Sequence, residues 1–133
     1  YMELLMPHFY GQHICRIPLE SWPEPMTRSF NKLNQEVYVM MQGPSEFGIA
    51  GNLEKWDRKD SLKNISVPTL TVGAKYDSMD PEHMKWMSEQ VQHGRYLYCP
   101  DGSHMCMWDD QQVYMNGVIA FIKDIDSGVF PAE

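Results

Sequence analysis

Two short apolar segments, VPTLTVG (67–73) and RYLYC (95–99), constrain the fold more than any other feature of this chain. Each is rich in β-branched or aromatic residues and bounded by turn formers, so each reads as a strand. Between them, Asp80-Pro81 supplies a helix N-cap and a proline at the first helical position. Met84, Met87 and Val91 give that helix an apolar face, and Gly94 its stop. After the second strand, the turn-rich PDGSH (100–104) leads to a last helix marked by Val113, Gly117, Phe121 and Ile125. The order strand, helix, strand, helix predicts a parallel β-α-β unit with a right-handed crossover. Parallel sheets are covered on both faces and do not stand as two strands alone. The chain offers no other good strand candidate. The rest of the sheet is therefore expected to lie on a segment outside this sequence. The start at Tyr1, inside the apolar run MELLMPHFYGQHICRI, also reads as part of a larger or cleaved protein.

The first region differs in character. Phe9, His13, Ile14 and Ile17 fit one helix face, with Pro7 near its start or at a break. IPLESWPEPM (17–26) holds three prolines and cannot be a helix interior. Phe30, Leu33, Val37, Met40 and Met41 then recur at three- and four-residue spacing, predicting one helix that Gly43-Pro44 ends. EFGIAGNL (46–53), with two glycines, reads as a turn or irregular loop.

Composition narrows the function. The net charge is −7, and no cluster of Lys and Arg offsets it, which argues against a nucleic-acid partner or an anionic membrane surface. No run approaches the roughly 20 apolar residues of a membrane span, and no signal-peptide pattern opens the chain. Cys15, Cys99 and Cys106 are odd in number and form no C-x-x-C pair, so a reduced, cytoplasmic protein is expected. The eleven methionines read first as core and second as an adaptable pocket.

Sites in open parallel sheets form at the carboxyl ends of the strands. Asp77 follows the first strand, in VGAKYD, and His104 follows the second. Adjacent strands lie about 5 Å apart, so residues just past their ends can meet. A carboxylate that accepts from one imidazole nitrogen fixes the tautomer and stabilises the imidazolium formed when the other nitrogen takes a proton. Such a histidine can activate a serine, and the order Asp before His matches the α/β-hydrolase order Ser, Asp, His. Each residue also has an ordinary reading: Asp77 as a turn residue before Pro81, His104 as a loop histidine bonded to backbone. A metal site from Cys99, His104 and Cys106 beside Asp77 lacks the usual ligand spacing, and the two cysteines read as small apolar residues. His8, His13, His83 and His93 show no mutual pattern and read as structural or exposed. No G-x-S-x-G occurs. Ser45, in GPSEFG (43–48), follows a helix rather than a strand and is no nucleophile elbow; Ser103 reads as a loop hydrogen-bonder.

These segments resemble a known family. HFYGQHICR (8–16), VYVMMQGPSEF (37–47), VPTLTVGAKYDSMDP (67–81) and DGSHMCMWDD (101–110) are similar to the C-terminal portion of the proline iminopeptidases, serine peptidases of the α/β-hydrolase fold. The resemblance implies an α/β class: the last two parallel strands and helices of the core at 57–133, and part of a helical cap at 1–56. It implies Asp77 as the triad acid and His104 as the base. It makes Glu46 the cap glutamate that binds the substrate's α-ammonium and Tyr38 a cap tyrosine lining the site. A carboxylate in a low-dielectric pocket suits that ammonium. The sequence departs from some members at Ser78, where they carry a second amine-binding glutamate. The implied substrate is a peptide or amino-acid amide, with no metal or other cofactor. The implied partner is the N-terminal part of the same hydrolase, which carries the serine. Esterases and epoxide hydrolases share the Asp and His, and a non-catalytic binding protein could keep the same fold.

Overall fold

The computed structural model describes residues 2–45 and 48–130. The chain divides into two compact units. One runs from Pro23 to Lys59; the other joins the residues up to Trp22 with those from Asp60 onward.

The larger unit is built on the expected β-α-β. Strand β1 (Thr69–Ala74) pairs in parallel with β2 (Gly94–Cys99), from Thr69 opposite Gly94 to Ala74 opposite Cys99. Helix α4 (Pro81–Gln90) makes the crossover. Asp80 caps it, accepting from the Glu82 N–H at 2.9 Å. Two side chains of the strands fix the helix over the sheet: Thr71 Oγ1 donates to the Met84 carbonyl and Tyr96 OH to the Pro81 carbonyl, both at 2.9 Å. Met84 and Met87 are half-buried, and the buried residues at this helix and its end are Ser88 and Val91. The helix stops at Gln90, and Gly94 opens the strand instead. A Cβ on Gly94 would collide with the Ser88 carbonyl, so only glycine fits this reversal. The core gathers around Ala74, Cys99 and Cys106, with Val72, Leu97, Val113 and Tyr114 against it.

After β2 come the short α5 (Cys106–Asp109) and the closing α6 (Gln111–Asp126). Phe121 is buried on α6, whereas Met115, Ile119 and Ile122 remain 44–50% exposed. Spacings of four and three put these three on one helix face. Among the described residues the sheet has two strands. Among the described residues no third strand pairs with either edge of this sheet and the apolar stripe on α6 stays exposed, surfaces of the kind a larger sheet and its helices bury.

The N-terminal residues of this unit are helical but not α-helical throughout. Helix α1 (Met2–Leu5) continues as a π-helical segment (Met6–Ile14), closed by a bond from the Cys15 N–H to the Tyr10 carbonyl. Ile17, expected on the same face, lies beyond its end because the backbone turns extended at Cys15.

In the smaller unit, the single helix expected over 30–41 is two: α2 (Glu24–Asn31) and α3 (Gln35–Met41). Asn34 breaks them, its side chain accepting from the Val37 N–H at 3.1 Å as a new N-cap. Pro25 is tolerated because it lies in the first turn of α2. Gly43, at φ 107°, ends the second helix. The segment 50–53 then returns to bond the last carbonyls of α3, Met40 to Gln42. No helix among the described residues is long and apolar enough to cross a membrane.

Residues up to Trp22 group with the strands, and the carbonyls of His13 and Ile14 take hydrogen bonds from the loop after β2.

Candidate active site

Asp77 and His104 meet. The turn after β1 is closed by the Asp77 N–H on the Ala74 carbonyl at 3.2 Å. It is tied to the loop after β2 by the Lys75 N–H on the Cys99 carbonyl (3.1 Å) and the Tyr76 N–H on the Gly102 carbonyl (3.0 Å). These bonds continue the strand pairing beyond the sheet, so both loops leave its carboxyl end side by side. His104 Nδ1 donates to Asp77 Oδ1 at 3.0 Å. The same oxygen accepts from the Met79 N–H at 3.0 Å and, at 3.4 Å, from Ser78 Oγ.

The environments of the two partners differ usefully. The Asp77 side chain is 10% exposed and the His104 side chain 39%. Burial opposes ionisation of Asp77, but the bonds from His104 and the Met79 N–H outweigh it and hold the carboxyl below its ordinary pKa. The acid is therefore an anion at neutral pH. Nδ1 is committed to it, so Nε2 is the ring nitrogen able to take a further proton, on a ring that is partly exposed.

The histidine loop has its own supports. Gly102 passes so close to Cys106, Asp110 and Cys99 that an added Cβ would lie 2.6–3.1 Å from their Cβ atoms. Ser103 is completely buried and binds through both its backbone and side chain. Its N–H donates to Asp109 Oδ1 at 3.0 Å, and its hydroxyl lies between Asp109 Oδ2 and the Ile14 carbonyl. Asp109 Oδ2 also accepts from the Arg16 N–H at 2.9 Å. The His104 and Met105 N–H groups donate to the carbonyls of His13 (3.0 Å) and Ile14 (2.8 Å). The last carbonyls of a helix have no partner within it. Here the loop that presents the histidine supplies those partners.

Asp77 and His104 are thus brought together, and Ser103 is the buried loop hydrogen-bonder the sequence suggests. Ser45 is buried just past the end of α3. Tyr38, on α3, lines a cavity of about 410 Å³ in the smaller unit, with Leu33, Val37, Met41 and Leu53. Glu46 lies outside the described residues. Sequence reasoning missed Asp109 and the carbonyls of His13 and Ile14. The acid at the end of DGSHMCMWDD was a signal for the first; main-chain acceptors leave none.

An anionic acid and a half-exposed histidine, at the carboxyl ends of adjacent parallel strands and followed by a closing helix, define the C-terminal part of an α/β-hydrolase core. Solved structures agree on the fold. The chain superposes on the crystal structure of VinJ with a TM-score of 0.79 at 29% identity, covering 90% of this chain and 40% of that one. It superposes on proline iminopeptidase from Mycobacterium smegmatis with a TM-score of 0.83 at 24% identity, covering 97% and 43%. No family model matches the chain. Among curated relatives, it is 56% identical over 127 residues to the proline iminopeptidase of Chitinophaga pinensis and 58% identical over 126 residues to that of Flavobacterium johnsoniae. Over 95–96% of its own length the chain is thus similar to proline iminopeptidases. It spans 42% of the length of these two relatives.

Proposed function

We propose that this chain is the acid–histidine portion of a serine aminopeptidase that releases N-terminal residues, proline foremost, from peptides. The observation that carries the proposal is the 3.0 Å bond between His104 Nδ1 and Asp77 Oδ1, in a chain so similar to proline iminopeptidases. The nucleophilic serine and the oxyanion donors belong to the remainder of the hydrolase, the partner that would also extend the sheet. The serine attacks the carbonyl of the N-terminal residue while His104 takes its proton and then delivers it to the leaving amine; water, deprotonated by His104, next cleaves the acyl-serine ester, releasing the residue as its acid and returning the proton to the serine. Asp77 holds the ring and balances the imidazolium. Glu46 is the candidate for receiving the substrate's ammonium and Tyr38 a candidate for lining the substrate site, both as the resemblance implies. Ser78, which bonds Asp77, offers no second carboxylate for the ammonium.

In the complete hydrolase, His104→Ala should nearly abolish release of a proline arylamide; near-normal turnover would rule the mechanism out. Glu46→Gln should harm aminopeptidase turnover far more than turnover of a simple ester. Equal effects on both would remove the ammonium-binding role and favour an esterase.

A further inference from the structure

We infer that His13 is a positioning residue that locks the acid turn and the histidine loop to one another. It is the point where two otherwise separate supports meet. Its ring Nδ1 donates to the Tyr76 carbonyl at 2.9 Å, the peptide group immediately before Asp77. Its own carbonyl accepts from the His104 N–H at 3.0 Å. One residue therefore grips the backbone next to the triad acid with its side chain and the backbone of the triad base with its main chain. Because a carbonyl only accepts, the His13 ring carries its proton on Nδ1.

The local chain geometry explains how this is possible. His13 lies in the last turn of the π-helical segment, where the 10→15 closure widens the turn. The chain then goes extended at Cys15, which frees the carbonyls of His13 and Ile14 to face the His104 loop. Arg16, just beyond, stacks its guanidinium 3.5 Å from the centre of the Tyr76 ring and donates to the Asp101 carbonyl at 3.3 Å. The segment thus contacts both loops at two successive places, and His13 is the contact nearest the reacting histidine.

The inference rests on the hydrolase reading, and its test separates the two. In the complete hydrolase, His13→Ala and His13→Asn are compared with wild type by fluorophosphonate labelling, proline arylamide kinetics and the downfield NMR signal of the His104 Nδ1 proton. Asparagine presents an N–H donor the same number of bonds from Cα as Nδ1. His13→Ala should slow labelling and lower kcat by about 10- to 100-fold, the scale of a small misplacement of a catalytic group, with KM within about twofold. The NMR signal should broaden. His13→Asn should recover most of the rate and a sharp signal. Labelling, kcat and signal all unchanged in His13→Ala would overturn the inference, as would His13→Asn being as impaired as His13→Ala. A wild-type enzyme that labels but releases no proline refutes the aminopeptidase reading alone, because labelling and the NMR signal still report on His13.

Discussion

Asp109 is bonded to Ser103 and Arg16 and not to the Asp77–His104 pair, yet its removal should damage the active site, and the structure gives the magnitude. Its two oxygens accept from the Ser103 N–H, the Ser103 hydroxyl and the Arg16 N–H. The three losses in Asp109→Ala are unequal. Arg16 is exposed, and water replaces its acceptor at little cost. The Ser103 hydroxyl has one proton and a second acceptor at 2.9 Å, the Ile14 carbonyl, to which it can turn. The Ser103 N–H has no such alternative: the residue is 0% exposed, and its one acceptor is Asp109. A buried donor left unpaired costs about 1–3 kcal/mol. Adding the charged character of the lost bonds, the variant should be about 2–3 kcal/mol less stable, a large share of the roughly 5–15 kcal/mol of an ordinary domain. The next residue is His104, so kcat should fall about 10-fold or more beyond any loss of folded enzyme. Denaturant titration of the complete hydrolase reads the stability as a lower midpoint at unchanged slope. Active-site-titrated kinetics read the second effect. Asp109→Asn keeps one acceptor but turns an N–H₂ toward a donor, so it should rescue only part. A stability loss under about 0.5 kcal/mol, with kcat within twofold of wild type, would refute the idea that Asp109 holds this loop.

Other outcomes follow from the same geometry. Asp77→Asn should lower kcat by about three to four orders of magnitude, because the amide no longer fixes the histidine tautomer; single-turnover acylation checks it. Since Asp77 has a folded pKa below the unfolded value of about 3.9, its stabilisation is present above that value and is lost as pH falls through the folded one. The difference in denaturation midpoint between wild type and Asp77→Asn should therefore shrink below about pH 4, and a constant gap down to pH 2 would contradict it. Gly102→Ala forces a methyl against Cys106, Asp110 and Cys99 and should cost about 1–3 kcal/mol by thermal unfolding, with loss of activity. Burial, together with Cys99 beside it, pushes the Cys106 thiol up to about 12, so neutral iodoacetamide should leave Cys106 unmodified until the protein unfolds. Mass spectrometry of native and unfolded samples decides that.

What was legible in the sequence follows from where the determinants sit. Asp80-Pro81 announces α4 because capping and proline stereochemistry act within four residues, and β1 is found because its β-branched run is entered through Pro68. Asp77 and His104 are legible for the same reason, each just past a recognisable strand. The break at Asn34 was hidden, because apolar spacing continues across it and only the side-chain bond to Val37 reveals a cap. The support of the histidine loop was hidden more deeply. The Ser103 hydroxyl reaches the Ile14 carbonyl across 89 residues of sequence, and a carbonyl has the same chemistry in every residue. The same bonds, from His104, Met105 and Ser103 to the carbonyls of His13 and Ile14, join the first 22 residues to the compact unit of the strands, a grouping that no local pattern announces. In the proposed mechanism Asp77 and His104 carry the chemistry, and the loop that holds His104 3.0 Å from Asp77 is itself bonded to the end of a π-helical segment far away in sequence. A substitution that restores an ordinary α-helical turn there would redirect those carbonyls and disturb the pair without touching either residue.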